Sequence, residues 1–229
     1  MATNSAQVMD SLAERKYLRE VLWSAPQGSP VVLVGSYARG TSIRPWSDID
    51  VLVMGEHHGP IPPPQIQLIS ITQERLRRRV QAGDDFAQWA LRFGVALAGR
   101  QVWDKLRKEL LSDAPWPTQT PQLEQASKKL ATAQDLFQMG DLPAAEEEIR
   151  FALSHLARAE LLAKGVFPLS RQELPAQLQE AEQPKFAQMM EKANSVNSMT
   201  NADVGDAIAF VDEILRGTNT SAEADRHCR

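Results

Sequence analysis

Val31-Val32-Leu33-Val34-Gly35-Ser36-Tyr37-Ala38-Arg39-Gly40, followed after a polar turn by Ser47-Asp48-Ile49-Asp50-Val51-Leu52-Val53, is the stretch that decides the fold. Two apolar, β-branched runs flank a glycine turn, so the stretch predicts strand, turn, short helix start and second strand. The second strand opens on two carboxylates. Residues i and i+2 of a strand point to one face, so Asp48 and Asp50 present both carboxylates on the same side. Hard oxygen ligands in that arrangement suit Mg²⁺, which completes its shell with substrate phosphates. Gly35 lets backbone approach a ligand closely, and Ser36 places a hydroxyl at the start of the following helix, where phosphate is favoured. A phosphate cradle beside metal-holding carboxylates is the equipment of phosphoryl or nucleotidyl transfer.

Gly35-Ser36, Ala38-Arg39-Gly40 and Ser47-Asp48-Ile49-Asp50 between apolar strands together resemble the signature of the polymerase-beta-type nucleotidyltransferase superfamily, in particular its minimal nucleotidyltransferases. The resemblance implies an α+β fold: an N-terminal domain with a small mixed β-sheet flanked by helices, followed here by an all-α bundle. It also implies roles. Asp48 and Asp50 are the expected catalytic and metal-binding residues, with two Mg²⁺ ions as the expected cofactor. Gly35, Ser36, Arg39 and Ser47 are the expected nucleotide-binding residues, and an NTP, ATP by expectation, is the substrate. The superfamily usually carries a third carboxylate on a later strand. In the run Ile66-Gln67-Leu68-Ile69-Ser70-Ile71, alternation puts Gln67 at that third-site position. A glutamine carbonyl ligates weakly and accepts no proton, whereas a general base must take one. Three alternatives stay open. The acceptor needs little deprotonation, another acid (Glu56, Glu74, Asp84 or Asp85) stands in, or the chain binds nucleotide without transferring it efficiently.

Composition sets the wider bounds. The 229 residues are 43% hydrophobic, enough for one large or two modest cores. Residues 1–112 carry 14 Lys+Arg against 11 Asp+Glu, a net of +3, and residues 113–229 carry 11 against 18, a net of −7; together they give the overall −4. The mildly positive first part suits an anionic nucleotide. The acidic second part makes nucleic acid an unlikely partner, because phosphate backbones demand clustered cations. Arg75, Arg77, Arg78 and Arg79 are the exception, a solvated helix face or a contact for an anionic co-substrate. The one cysteine, Cys228, permits no intrachain disulfide, in keeping with a reducing compartment. Met1-Ala2-Thr3-Asn4-Ser5 has no signal-peptide character, and no run reaches the ~20 apolar residues of a membrane helix. A cytoplasmic protein is expected, with no membrane partner.

Helical spacing of Met9, Leu12, Ala13, Tyr17 and Val21 predicts an opening helix over 4–23. Strands are expected at 30–34, 49–54 and 66–71, with a stiff Gly59-Pro60-Ile61-Pro62-Pro63-Pro64 loop before the third. His57 and His58 read as exposed loop residues. Helices are expected over 72–82, with Thr72 as a candidate N-cap, and over 84–98, where Phe86, Trp89, Ala90, Phe93 and Leu97 make one face. Residues 93–104 also resemble the close of a minimal nucleotidyltransferase domain, in which a helix leads into a short edge strand and a last helix.

The domains expected are therefore 1–112, the nucleotidyltransferase domain; 113–121, a linker with three prolines; 122–216, a helical bundle; and 217–229, a flexible tail. The bundle helices are expected near 122–139, 143–164, 171–181, 184–194 and 202–216. This half resembles the helical substrate-binding or HEPN-type domains attached to nucleotidyltransferases, carried by Ala133–Gly140, Asp141–Ala145 and Arg150–Leu162. Arg150 and His155 match the spacing of the HEPN ribonuclease motif, yet five residues place them about 140° apart around a helix. The function expected is transfer of a nucleoside monophosphate to a small-molecule or protein acceptor with release of pyrophosphate. The alternatives are a nucleotide-binding member of a toxin–antitoxin-like pair and a HEPN-type ribonuclease. The bundle is the expected interface for a second copy or a helical partner protein.

Overall fold

The computed structural model of the chain describes residues 12–25, 28–40, 48–56, 61–195 and 197–227. Ser47, His57, His58, Cys228 and Met9 lie outside them. The chain divides into two compact units, Met1–Pro117 and Thr118–Arg229.

The first unit is built on four strands, β1 (Val31–Val34), β2 (Ile49–Met54), β3 (Ile66–Ile71) and β4 (Val95–Ala98), in the order β3-β2-β1-β4. β1 pairs antiparallel with β2 and β4, and β2 pairs parallel with β3, so the sheet is mixed as expected. Alternation sorts the side chains. Val31, Leu33, Ile49, Val51, Val53 and Ile66 enter one core with Tyr17, Leu18 and Val21 of α1 (Leu12–Ser24). Val32, Val34, Leu52 and Met54 point to the other face and are buried as well. A sheet covered on both faces needs continuous apolar strands, which is what β1 and β2 supply.

Two short helices follow β3. In α3 (Gln73–Gln81) Thr72 does act as the N-cap, its hydroxyl accepting from the Arg75 amide at 3.1 Å. In α4 (Asp85–Phe93) Asp84 caps the Ala87 amide at 2.7 Å. The helix expected over 84–98 stops at Phe93, and Val95–Ala98 forms β4 instead. Gly94 sets the break. A Cβ there would meet the Ala90 carbonyl oxygen and come within 2.8 Å of Val32 Cγ1, so only glycine lets the chain turn against the sheet at this point. α5 (Arg100–Ser112) buries Trp103, Leu106 and Leu110. Beyond it, the Gln88 side-chain amide, itself fully buried, donates to the Pro115 carbonyl at 2.6 Å and ties residues 113–117 to α4.

The second unit is helical throughout: α6 (Thr120–Gln138), α7 (Leu142–Ala163), α8 (Leu174–Glu180), α9 (Pro184–Ala193) and α10 (Asn201–His227). α6 and α7 form an antiparallel pair turned at Gly140, with Asp141 capping the Ala144 amide at 3.2 Å. Ala126, Leu130 and Ala133 face Ile149, Ala152, Leu153 and Leu156, and alanine at the seam lets the two helices approach closely. α10 continues past Gly217, where the sequence predicted its end. Its start carries a capping box: Thr200 Oγ1 accepts from the Asp203 amide at 3.2 Å and Asp203 returns the bond to the Thr200 amide at 3.0 Å. Among the described residues no helix is long and apolar enough to cross a membrane.

Candidate active site

The row Val34–Asp50–Gln67 crosses three adjacent strands, because Val34 pairs with Asp50 on β1–β2 and Asp50 pairs with Gln67 on β2–β3. The three residues share one face of the sheet. Immediately after Val34 the chain turns into α2 (Gly35–Arg39). Gly35 has φ +72, a left-handed backbone that L side chains rarely adopt. A Cβ on it would collide with Asp50 Oδ2 and lie 3.1 Å from Asp50 Cγ. Glycine is therefore required twice here, by the backbone and by the carboxylate beside it. The place a side chain would take at Gly35 is occupied by the Asp50 carboxylate, so the turn and the carboxylate pack closely.

Asp48 is exposed and precedes β2 by one residue, while Asp50 is half-buried. Burial, and then the neighbouring Asp48 charge, push the Asp50 carboxyl up from 3.8 to about 6. Among the described residues no amide or side chain donates a hydrogen bond to it. Two carboxylates close enough to disfavour each other, one of them half-buried, make a pairing that a cation from outside the protein would relieve. The donor set, two carboxylates beside the Gly35 turn, fits a divalent cation that takes its remaining ligands from phosphate and water. Among the described residues no group of three or more His, Cys, Asp or Glu converges on one point.

Ser36 opens α2 behind Gly35, and Val34 at the N-cap supplies no capping side chain. Arg39 ends α2, its guanidinium 4.8 Å from the centroid of the Phe93 ring. Phe93 fitted the apolar face of a longer helix in the sequence; its contact with Arg39 was not legible because it depends on where α4 stops. Ser47 lies outside the described residues. Gln67 is exposed and stands in register with Asp50 on the neighbouring strand.

The four acids that might replace it are placed elsewhere. Glu56 follows Gly55, which still pairs with Ile71 at the far end of the sheet, roughly 20 Å along the strand from Asp50 at ~3.3 Å per residue. Glu74 follows the same end of β3 and pairs with Arg78. Asp84 is engaged as the α4 cap and in a two-toothed pair with Arg79, at 2.9 and 3.1 Å. Asp85 is buried in the first turn of α4. The arginine cluster likewise divides: Arg77 pairs with Glu109 at 2.8 Å and Arg79 with Asp84, leaving Arg75 and Arg78 as the exposed members.

In the second unit, Arg150 and His155 turn to different partners. Arg150 pairs with Glu146, and its Nε is buried without a partner. The Nδ1 of His155 donates to Gln122 Oε1 at 2.7 Å. They share no atom and no face.

Residues 14–115 match the family model of the nucleotidyltransferase domain, over the stretch that carries the Gly35 turn, both aspartates and the whole sheet. That stretch of the first unit is thus similar to nucleotidyltransferase domains. Among solved structures, a nucleotidyltransferase-like protein from Exiguobacterium sibiricum 255-15 is similar to this chain, at 17% identity and a TM-score of 0.47 over 90% of this chain and 74% of that one. No curated protein matches the chain.

Proposed function

We propose that the nucleotidyltransferase domain moves a nucleoside monophosphate, AMP from ATP, onto a small-molecule or protein acceptor with release of pyrophosphate. The observation that carries this reading is the close seat of the Asp50 carboxyl against the left-handed Gly35 turn, beside a second carboxylate, within the stretch that matches the nucleotidyltransferase model. Asp48 and Asp50 would hold Mg²⁺, which when bound neutralises phosphate charge and orients the displacement. The chain's own residues do the rest. The Gly35 turn admits the triphosphate close to the backbone, and the Ser36 and Ser47 hydroxyls and the Arg39 guanidinium bind its oxygens. The contact of Arg39 with the Phe93 ring would limit the side-chain entropy lost when phosphate arrives. The acceptor oxygen attacks the α-phosphorus in line, the bond to the β-phosphate oxygen breaks, and pyrophosphate leaves.

A second reading, a nucleotide-binding interaction protein with weakened transfer, is favoured by one observation: Gln67, which cannot take a proton, sits where β3 comes nearest to Asp50. The ribonuclease alternative draws no support from the separate partners of Arg150 and His155.

The test is incubation with labelled NTPs, Mg²⁺ and a panel of acceptors, following pyrophosphate. Replacing both Asp48→Asn and Asp50→Asn is expected to lower turnover by about a thousandfold or more, the loss typical of groups acting mainly on the transition state. A double variant as active as the parent would sink the assignment. Nucleotide binding without any pyrophosphate release would favour the second reading.

A further inference from the structure

We infer that Gln67 sets how this site acquires its metal: the bare protein holds a divalent cation weakly, and loading depends on nucleotide phosphates that arrive with it. The inference rests on the proposed nucleotide and metal site but concerns a residue that the nucleotidyltransferase match does not assign. Its ground is the register. Asp50 and Gln67 are partners across a parallel strand pair, and adjacent strands lie about 4.8 Å apart. Ile66 and Leu68, on either side of Gln67, pack into the core shared with α1. Alternation therefore sends Gln67 to the face that Asp50 occupies, and it is exposed there.

The consequence is electrostatic. Asp48 and Asp50 bring two negative charges to this end of β2, yet Gln67, in register with Asp50, adds none. An amide oxygen is a weaker ligand than a carboxylate for a hard cation, and affinity for such cations rises with the number of charged ligands. The amide also brings two N–H donors, which a carboxylate lacks. Those donors suit an anionic oxygen of the substrate at the place where a third acid would repel it. A site of this kind binds metal and nucleotide together better than either alone, and by reciprocity each strengthens the other.

The experiment uses the full chain and Mn²⁺ as the probe, with binding read by calorimetry or by the loss of the free-ion paramagnetic signal, in the presence and absence of a non-hydrolysable ATP analogue. In the parent, the analogue is expected to tighten Mn²⁺ binding at least tenfold. Gln67→Glu is expected to tighten Mn²⁺ binding to the bare protein by tenfold or more and to shrink the analogue's effect. Ser70→Glu is the control: Ser70 is exposed on the same strand but on the opposite face and pairs with Val53, so it should shift bare Mn²⁺ binding by less than twofold. Gln67 is exposed, so Gln67→Glu should fold, and circular dichroism checks this. Gln67→Glu within twofold of the parent, or Ser70→Glu equal to Gln67→Glu, overturns the inference. A parent that binds no analogue while Gln67→Glu still tightens Mn²⁺ sinks the transferase reading and upholds Gln67 as the residue limiting metal affinity.

Discussion

Asp50 in the sheet and Glu146 in the bundle are both carboxylates removed from water, and the two units treat them in opposite ways. Glu146 is 8% exposed, yet its Oε1 accepts from the Met199 amide at 3.0 Å and pairs with Arg150 one turn along α7. The partners come from the chain itself, and one of them lies 53 residues away, so the carboxylate clamps the segment before α10 onto α7. Asp50 has Gly35 packed against it and a second carboxylate for a neighbour, and burial pushes its pKa up to about 6. On the proposed function, the difference separates a charge buried for the fold from a charge kept for a ligand. The first is satisfied at the end of folding. The second would be satisfied on binding of metal and nucleotide and would lower stability without them, a familiar cost of functional sites.

The sharpest way to break this contrast is Gly35→Ala. The new Cβ meets Asp50 Oδ2 and is strained at φ +72, so the variant displaces the carboxylate or the turn on which the proposed site depends. Pyrophosphate release should fall on the order of 10²–10³-fold, a loss of the size seen when one group acting on the transition state is removed. Secondary structure by circular dichroism should be retained. Activity near that of the parent would mean that the Gly35 turn and Asp50 are not the site.

The complementary variant is Glu146→Ala. It strands a half-buried guanidinium and a buried amide together, and removing one partner of such a pair costs about 3–5 kcal/mol. Urea unfolding should show the loss as a lower midpoint, and Glu146→Gln, which still accepts from Met199, should recover part of it. A midpoint for Glu146→Ala within about 0.5 kcal/mol of the parent, the range of an ordinary surface change, would show that the clamp contributes nothing.

Much of the first unit was legible in the sequence, because local signals and the fold agree there. The apolar runs 31–34, 49–54 and 66–71 are strands, Thr72 is a cap, and Gly35 and Asp50 meet because a strand, a tight turn and an antiparallel return leave little choice. The limits of α4 were not legible. Val95-Ala96-Leu97-Ala98 suits a helix or a strand equally, and what decides is the contact of Gly94 with Val32, which only the folded sheet reveals. The same holds for Gln88 and Pro115, and for Glu146 and Met199: each pairing links positions distant in the chain through a buried polar group, and no local pattern encodes it. At the candidate site the residue types were readable, but the fact that Gln67 faces Asp50 and not its neighbours needed the parallel register. The elimination of Glu56 and Glu74 needed the direction of β2 and β3.

The smallest effect is also the one that tests the contrast at its root. Asp50 has its pKa raised in the folded chain, from 3.8 to about 6, so between those values the folded state binds more protons than the unfolded one. Stability from this group is therefore greatest below about pH 4 and falls as pH rises through 6, opposite to a carboxylate held by a salt bridge. The whole shift would amount to about 3 kcal/mol at 1.36 kcal/mol per pH unit, and partial exposure reduces this to about 1–2 kcal/mol. Asp50→Asn removes the charge without changing the shape. In chelator at pH 7.5 it should raise the unfolding free energy by that amount, and at pH 4 the difference should shrink towards zero. Adding Mg²⁺ and an ATP analogue should reverse the order, since only the parent gains the stabilisation of a bound ligand. Equal stability of the two proteins in chelator at pH 7.5 would mean that Asp50 is held as comfortably as Glu146, and that the sheet carries no charge set aside for a ligand.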